Sequence, residues 1–244
     1  MSIPFTTFEK ILFLYLENQP PSQAFDILHY DFVNEKVSNN TVLKYYSIFN
    51  QICISFYEEE LNTKMLEGII ELDETHLFSE KKTHAISRSY ALSSIWLVGM
   101  RKRGSKEFFI IPVEKRDETT LISIILRHIK RKSTIYTDSY SCYVNNNCYP
   151  KKSKLTEYKY IHSFVNHKYR FVSLVFEEVH TNTIESLWKN IKSDMGKWNI
   201  KSTYLAAISR YYFMHMLSKE EQQNVLIRGL YSKGIFGLEN FKDS

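Results

Sequence analysis

Gly68-Ile-Ile-Glu-Leu-Asp73 is the stretch on which the fold turns. A short apolar run opened by a glycine and closed by a carboxylate reads as a buried strand ending at a sheet edge. Ser133-Thr-Ile-Tyr-Thr-Asp138 has the same form, with 64 residues separating the two aspartates. Between them, Tyr90 to Met100 and Glu107 to Val113 read as two further strands, parted by the turn signal Lys102-Arg-Gly-Ser105. Asp117 or Thr119 then caps a helix that carries Leu121, Ile122, Ile125 and Ile129 on one face. Beyond Asp138, Lys159 to His162 and Phe171 to Phe176 look extended, and helices are expected from Thr183 to Met195 and from Thr203 to Leu217. Three strands, a helix, a strand, mixed structure and more helices make an α/β core, a sheet with helices packed on it.

The residues before Met65 have a different period. Phe8, Ile11, Leu12 and Tyr15 recur at helical spacing, and Pro20-Pro21 ends that segment. Ser22 is placed to cap a short helix through Ile27. Ser38 or Asn40 is placed to cap a longer one carrying Val42, Tyr45, Tyr46, Phe49, Ile52, Cys53 and Phe56. Such helices fit either a helix-turn-helix that enters a DNA groove or a plain helical bundle. The expected organisation is a small all-helical region over 1–62, a catalytic domain over 63–220 and a C-terminal tail over 221–244.

Composition narrows the class. A hydrophobic share of 43% with a charged share of 24% is ordinary for a folded domain and excludes a disordered chain. Three cysteines, Cys53, Cys142 and Cys148, have neither metal-ligand spacing nor the even count of a disulfide framework, so a reducing compartment is expected. No apolar run reaches the roughly 18 residues of a membrane span, and no secretory signal opens the chain. The net charge of +5 is modest. Its distribution is uneven, with thirteen Lys/Arg against four Asp/Glu between Lys81 and Lys132. That excess is either a solvated surface or the footprint of a polyanion.

Asp73 and Asp138 each end a buried run, which holds a carboxylate rigidly where open α/β sheets place ligands. Two such groups side by side repel unless a cation lies between them. Hard divalent ions such as Mg²⁺ or Mn²⁺ suit oxygen ligands, and a pair of them suits phosphodiester chemistry. Acidic residues also end strands simply because turns begin there, so a third carboxylate matters. Glu185 supplies one, in Val179-His-Thr-Asn-Thr-Ile-Glu-Ser-Leu-Trp-Lys-Asn-Ile-Lys192. Ile184, Leu187, Trp188, Ile191 and Met195 mark the buried stripe of this helix, and Glu185, Lys189 and Lys192 share an adjacent face. Asn182 followed three residues later by Glu185 is also a capping-box pattern, which would make Glu185 a cap.

Taken in order, Ile70-Glu-Leu-Asp-Glu-Thr75, Val113-Glu-Lys-Arg116, Tyr136-Thr-Asp-Ser139, Val165-Asn-His167 and Val179-His-Thr-Asn-Thr-Ile-Glu185 with Trp188 and Lys192 resemble the transposases of Merlin-type DNA transposons and their bacterial insertion-sequence relatives. The resemblance covers roughly residues 65 to 217. It implies a ribonuclease-H-like mixed sheet with flanking helices and an Asp-Asp-Glu triad of Asp73, Asp138 and Glu185 binding two Mg²⁺ ions, with Mn²⁺ as substitute. Some bacterial relatives use Asn as the third member, followed by Lys, and Asn182 and Lys192 occupy positions for that variant. Many also begin with a cysteine-rich zinc module, whereas no Cys precedes Cys53 here. Either the N-terminal helices take over recognition of the terminal repeats, or the frame is a shortened remnant.

The activity so implied is cut-and-paste transposition: metal-dependent cleavage at the transposon ends, then attack of the freed 3′-hydroxyl on target DNA. The partners implied are double-stranded DNA, both transposon ends and target, and further copies of the chain; no membrane is involved. Arg101, Lys102, Arg103, His167, His180 and Lys189 are the candidate DNA contacts, each with an ordinary alternative as a solvated or packed side chain. The location expected is with the genome, in the nucleus of a eukaryote or the cytoplasm of a bacterium. Two other readings fit the same residues, a nuclease of the same fold and a domesticated or decayed transposase that only binds DNA.

Overall fold

In the computed structural model the described residues are 3–31, 37–77, 95–145, 147, 150–165, 181–197 and 204–235. The chain divides into two compact units, one formed by Leu61–Asn190 and the other by Met1–Glu60 together with Ile191–Ser244.

The first unit is built on a five-stranded sheet. Strands β1 (Ile69–His76), β2 (Trp96–Lys102) and β3 (Phe108–Val113) form an antiparallel meander, and Gly104, with φ of 69°, turns the chain between the last two. Helix α4 (Glu118–His128) crosses to β4 (Thr134–Asp138), which pairs parallel to β1. A small hairpin, β5 (Val144–Asn145) with β6 (Lys152–Ser153), and a 3₁₀ turn at Leu155–Tyr158 lead to β7 (Ile161–Val165), parallel to β4. The order across the sheet is β3-β2-β1-β4-β7.

Alternation along β1 assigns its residues to two faces. Ile70 and Leu72 are fully buried on one. Leu72 lies opposite Met100 and Met100 opposite Phe109, whose ring meets His128 of α4 at 5.8 Å, so α4 covers this face. Asp117 caps α4 by accepting from the Thr120 N–H at 2.9 Å, the first of the two caps expected. The opposite face of β1 carries Glu71 and Asp73 and is covered by α5 (Asn182–Lys197).

One sequence expectation shifts, and two fall partly or wholly outside the described residues. The strand expected at Lys159–His162 begins at Ile161, because Lys159 is left-handed (φ of 68°) and closes the 3₁₀ turn. The strand expected over Tyr90–Met100 is described only from Trp96, and Phe171–Phe176 lies outside the described residues.

The second unit is helical. It contains α1 (Phe5–Leu16), α2 (Pro21–Asp31), α3 (Asn39–Thr63, to Glu60), α6 (Tyr204–Met216), α7 (Lys219–Ser232) and the end of α5. Pro21 opens α2 at its first position, where a missing N–H costs nothing. Ser38 caps α3 through the Thr41 N–H. Phe8, Ile11, Tyr15, Val42, Phe49 and Cys53 share one core with Phe213, Leu226 and Leu230. Residues 191–244 therefore fall with the N-terminal helices, which differs from the expected boundary at 220 and the expected tail over 221–244. The physical reason is that the apolar faces of α6 and α7 close this core. Arg210, 1% exposed, is paired with Asp194 at 2.6 Å, and Asn18 bonds both partners.

Candidate functional site

The parallel register of β1 and β4 pairs Ile69 with Thr134, Ile70 with Ile135 and Glu71 with Tyr136. Continued two residues, the same register sets Asp73 level with Asp138 on the same face; Asp138 ends β4, whereas β1, expected to end at Asp73, runs on to His76 because its pairing with β2 continues. Asp138 Oδ1 accepts the Tyr140 N–H at 2.9 Å, which fixes that carboxylate at the strand end. Asp73 Oδ2 accepts the indole N–H of Trp188 at 2.9 Å. Burial pushes the Asp73 carboxyl above its ordinary range; the Trp188 hydrogen bond opposes this, and the negative charges of Asp138 and Glu185 add to it. Asp73 therefore lies within electrostatic reach of both Asp138 and Glu185. Among the described residues, no three His, Cys, Asp or Glu side chains are drawn together closely enough to hold an ion.

Glu185 stands exposed one turn into α5, and the position of that turn is set by Glu71. Glu71 is fully buried, yet its carboxylate accepts the backbone N–H groups of Thr183 and Ile184, each at 3.0 Å, and meets Arg103 Nε at 2.6 Å. The guanidinium of Arg103 also lies 4.7 Å from the centre of the Tyr136 ring. A buried anion at a helix N-terminus satisfies orphan N–H groups and the helix dipole together. The helix begins at Asn182, and the Thr181 carbonyl accepts from the Glu185 N–H. This places Asn182 inside the first turn rather than at the cap, and Glu185 one position beyond the place a capping box requires.

Trp188, expected as core, is 6% exposed and is core in part. Its ring lies against Gly99, the residue paired with Asp73 on β2; a Cβ built there would sit 2.5 Å from two ring carbons. Glycine thus leaves room for the indole against the strand, from where it reaches the carboxylate.

The candidate DNA contacts separate into three groups. Arg103 is engaged with Glu71, Lys102 pairs with Glu107 at 2.7 Å, and Arg101 donates to the Thr183 carbonyl at 3.3 Å. Together with Gly104, Ser105, Lys106 and Thr183, these three line an open groove of about 410 Å³. Lys189 and Lys192 are exposed on α5. His167 and His180 lie outside the described residues.

Sequence reasoning missed Glu71 and Glu74. Glu74, on the α4 face of β1, receives the Tyr143 hydroxyl, and burial raises its carboxyl to about 7, with Tyr143 and Arg116 opposing and Asp73 and Asp138 adding. A charged residue inside an apolar strand was the available signal, since a buried carboxylate needs a partner.

An antiparallel three-strand meander followed through a helix by two parallel strands, with helices on both faces, is the ribonuclease-H-like arrangement. The model of the ISXO2-like transposase domain matches residues 65–215, and the chain belongs to that family. Its function is DNA transposition, and the class of chemistry is polynucleotidyl transfer. No curated protein matches the chain. Similar solved structures include the HTLV-2 integrase catalytic core domain in complex with magnesium, at 14% identity and TM-score 0.36, covering 72% of this chain and 90% of that one. They also include the Mos1 transposase paired-end complex with left transposon end, at 10% identity and TM-score 0.30, covering 91% and 78%. Among the described residues, no helix is long and apolar enough to cross a membrane.

Proposed function

We propose that Asp73, Asp138 and Glu185 form the catalytic centre for cleavage of transposon ends and strand transfer into target DNA. The observation that carries this reading is the register of β1 and β4, which levels Asp73 with Asp138 at the edge that Glu185 approaches from α5. The three carboxylates offer the oxygen donors that hard divalent cations such as Mg²⁺ or Mn²⁺ take, and holding an ion would require them to draw closer than they stand in this structure. When bound, two such ions would activate the attacking oxygen and offset the charge developing on the phosphoryl group. The chain's own contribution is position. Trp188 turns one Asp73 oxygen toward itself, the Tyr140 N–H orients Asp138, and the Glu71–Arg103 pair holds the turn of α5 that carries Glu185. In phosphoryl transfer, positioning and charge neutralisation supply most of the rate.

Glu185 is preferred to Asn182 as third member, because a carboxylate neutralises a cation and an amide does not. The charge of Glu185 also reaches Asp73. Lys192 and Lys189 are assigned to phosphate contacts beside the centre, and the groove at Arg101–Lys106 to the DNA backbone. DNA ends and target are the partners, with further copies of the chain.

Mn²⁺ binding followed by calorimetry tests the centre without knowledge of the DNA ends. Saturable binding by the intact chain that Asp138→Asn largely removes is the expected result. Equal binding by both would exclude Asp138 from the site.

A further inference from the structure

Arg116 follows β3 and directly precedes the cap of α4. Its guanidinium carbon lies 4.0 Å from the centre of the Trp96 ring and 4.7 Å from that of Tyr140. Its backbone carbonyl accepts the Tyr140 hydroxyl at 3.4 Å and the Cys142 thiol at 3.6 Å, which fastens the segment after β4 to this spot. Tyr140 is the residue whose N–H orients Asp138. Tyr140 thus links Arg116 to the end of β4 that carries Asp138, and Glu74 lies within reach of the Arg116 charge.

What sets Arg116 apart is what its donors do. In the sheet unit, Arg101, Arg103, Arg127 and Arg131 each donate to a carbonyl or a side-chain oxygen of the chain. The Arg116 guanidinium makes no hydrogen bond or ion pair with any described residue, although it is half-buried. Contact with two rings holds the guanidinium without using its N–H donors. A planar, permanently charged fork held in this way suits the non-bridging oxygens of a phosphate. A cation is also needed there for a physical reason, since an edge bearing Asp73, Glu74 and Asp138 repels a polyanion.

We propose that Arg116 is a phosphate-binding residue, its guanidinium taking a phosphodiester of the DNA strand that is brought to the carboxylate edge. This rests on the reading that DNA engages that edge, but not on the metal site.

The test is fluorescence anisotropy of a labelled random-sequence duplex with the full chain in EDTA, across a salt series, beside thermal melting of each variant. Arg116→Met is expected to bind more weakly and to reduce the slope of log affinity against log salt by about 0.9, the share of one phosphate contact. Arg116→Lys keeps the charge and is expected to keep the slope while losing affinity, because the fork is lost. If Arg116→Met does not fold, Arg116→Lys carries the test, and affinity equal to that of the intact chain would overturn the assignment. A folded Arg116→Met with unchanged affinity and slope would overturn it too, leaving Arg116 only to balance Glu74. Millimolar inorganic phosphate at constant ionic strength should leave duplex binding unchanged. Displacement of duplex from the intact chain but not from Arg116→Met would assign the site to free phosphate and overturn the strand assignment. Absence of duplex binding by the intact chain would remove the DNA reading and the proposal with it, whereas a failed Mn²⁺ experiment would leave these outcomes as they stand.

Discussion

Trp188 fills the space above Gly99 and donates its indole N–H to Asp73. The second role matters for charge. Burial and the neighbouring carboxylates push the Asp73 carboxyl up, and the indole N–H pulls it down by favouring the ionised form. Trp188→Phe keeps most of the packing and deletes the donor. Asp73 should then titrate at higher pH than in the intact chain, read from its side-chain carboxyl carbon by NMR in metal-free protein. The loss of a hydrogen bond to a charged group should also cost about 1.5–3 kcal/mol in urea unfolding. An unmoved Asp73 midpoint would show that the hydrogen bond has no hold on its charge. The sequence placed Trp188 on the buried stripe because helical periodicity is local information. It could not show the partner of the indole N–H, because Asp73 lies 115 residues away in the chain.

At the scale of elements, the N-terminus of α5 and the strand β1 are joined through Glu71. Exposed pairs such as Lys130–Glu67 contribute little, because water screens both charges. A fully buried carboxylate with two backbone donors and an arginine is a different case, because removing it leaves buried charge and polar groups unpaired. Glu71→Ala should destabilise the sheet unit by about 3–5 kcal/mol, while Lys130→Ala should leave the unfolding midpoint close to that of the intact chain. Chemical denaturation measures both. Hydrogen exchange at Thr183 and Ile184 should accelerate in Glu71→Ala even under conditions where the sheet remains folded. Protection there equal to that of the intact chain would mean that α5 is positioned by its apolar stripe alone. In the sequence, Arg101-Lys-Arg103 reads as one basic cluster. Strand register then divides it: Arg101 stands opposite Glu71, Arg103 reaches that carboxylate from the diagonal position on the same face, and Lys102, on the other face, pairs with Glu107.

At the scale of the whole molecule, the helical unit is assembled from both ends of the chain. Leu226 and Leu230 of α7 are fully buried in a core whose other members are mostly in α1 to α3. Truncating buried leucines costs about 2–5 kcal/mol each, and removing α7 deletes both at once. A chain ending at Leu217 should therefore lose the cooperative unfolding of its helical unit. Limited proteolysis should then cleave within residues 3–60 while the strands of the sheet unit stay protected. Protection of the N-terminal helices in that shortened chain would show that they form a domain by themselves, as their sequence alone suggests.

What the sequence determined by itself is what short-range patterns encode. Runs of alternating or continuous apolar residues place β1, β3 and β4, the 3.6-residue stripe places α4, α5 and α6, and Ser38 and Asp117 mark helix starts because capping is a contact over three residues. It also brought forward Asp73 and Asp138, as carboxylates closing apolar runs, and Glu185, as a third carboxylate on an amphipathic helix. Tertiary structure decided the rest: that Glu71 rather than Asn182 meets the N–H groups of Thr183 and Ile184, that Trp188 reaches Asp73 over a glycine, that Arg116 meets the rings of Trp96 and Tyr140, and that α7 closes the core begun by α1. Each of these depends on register or on packing between segments tens to hundreds of residues apart, and no local period of the chain carries that information.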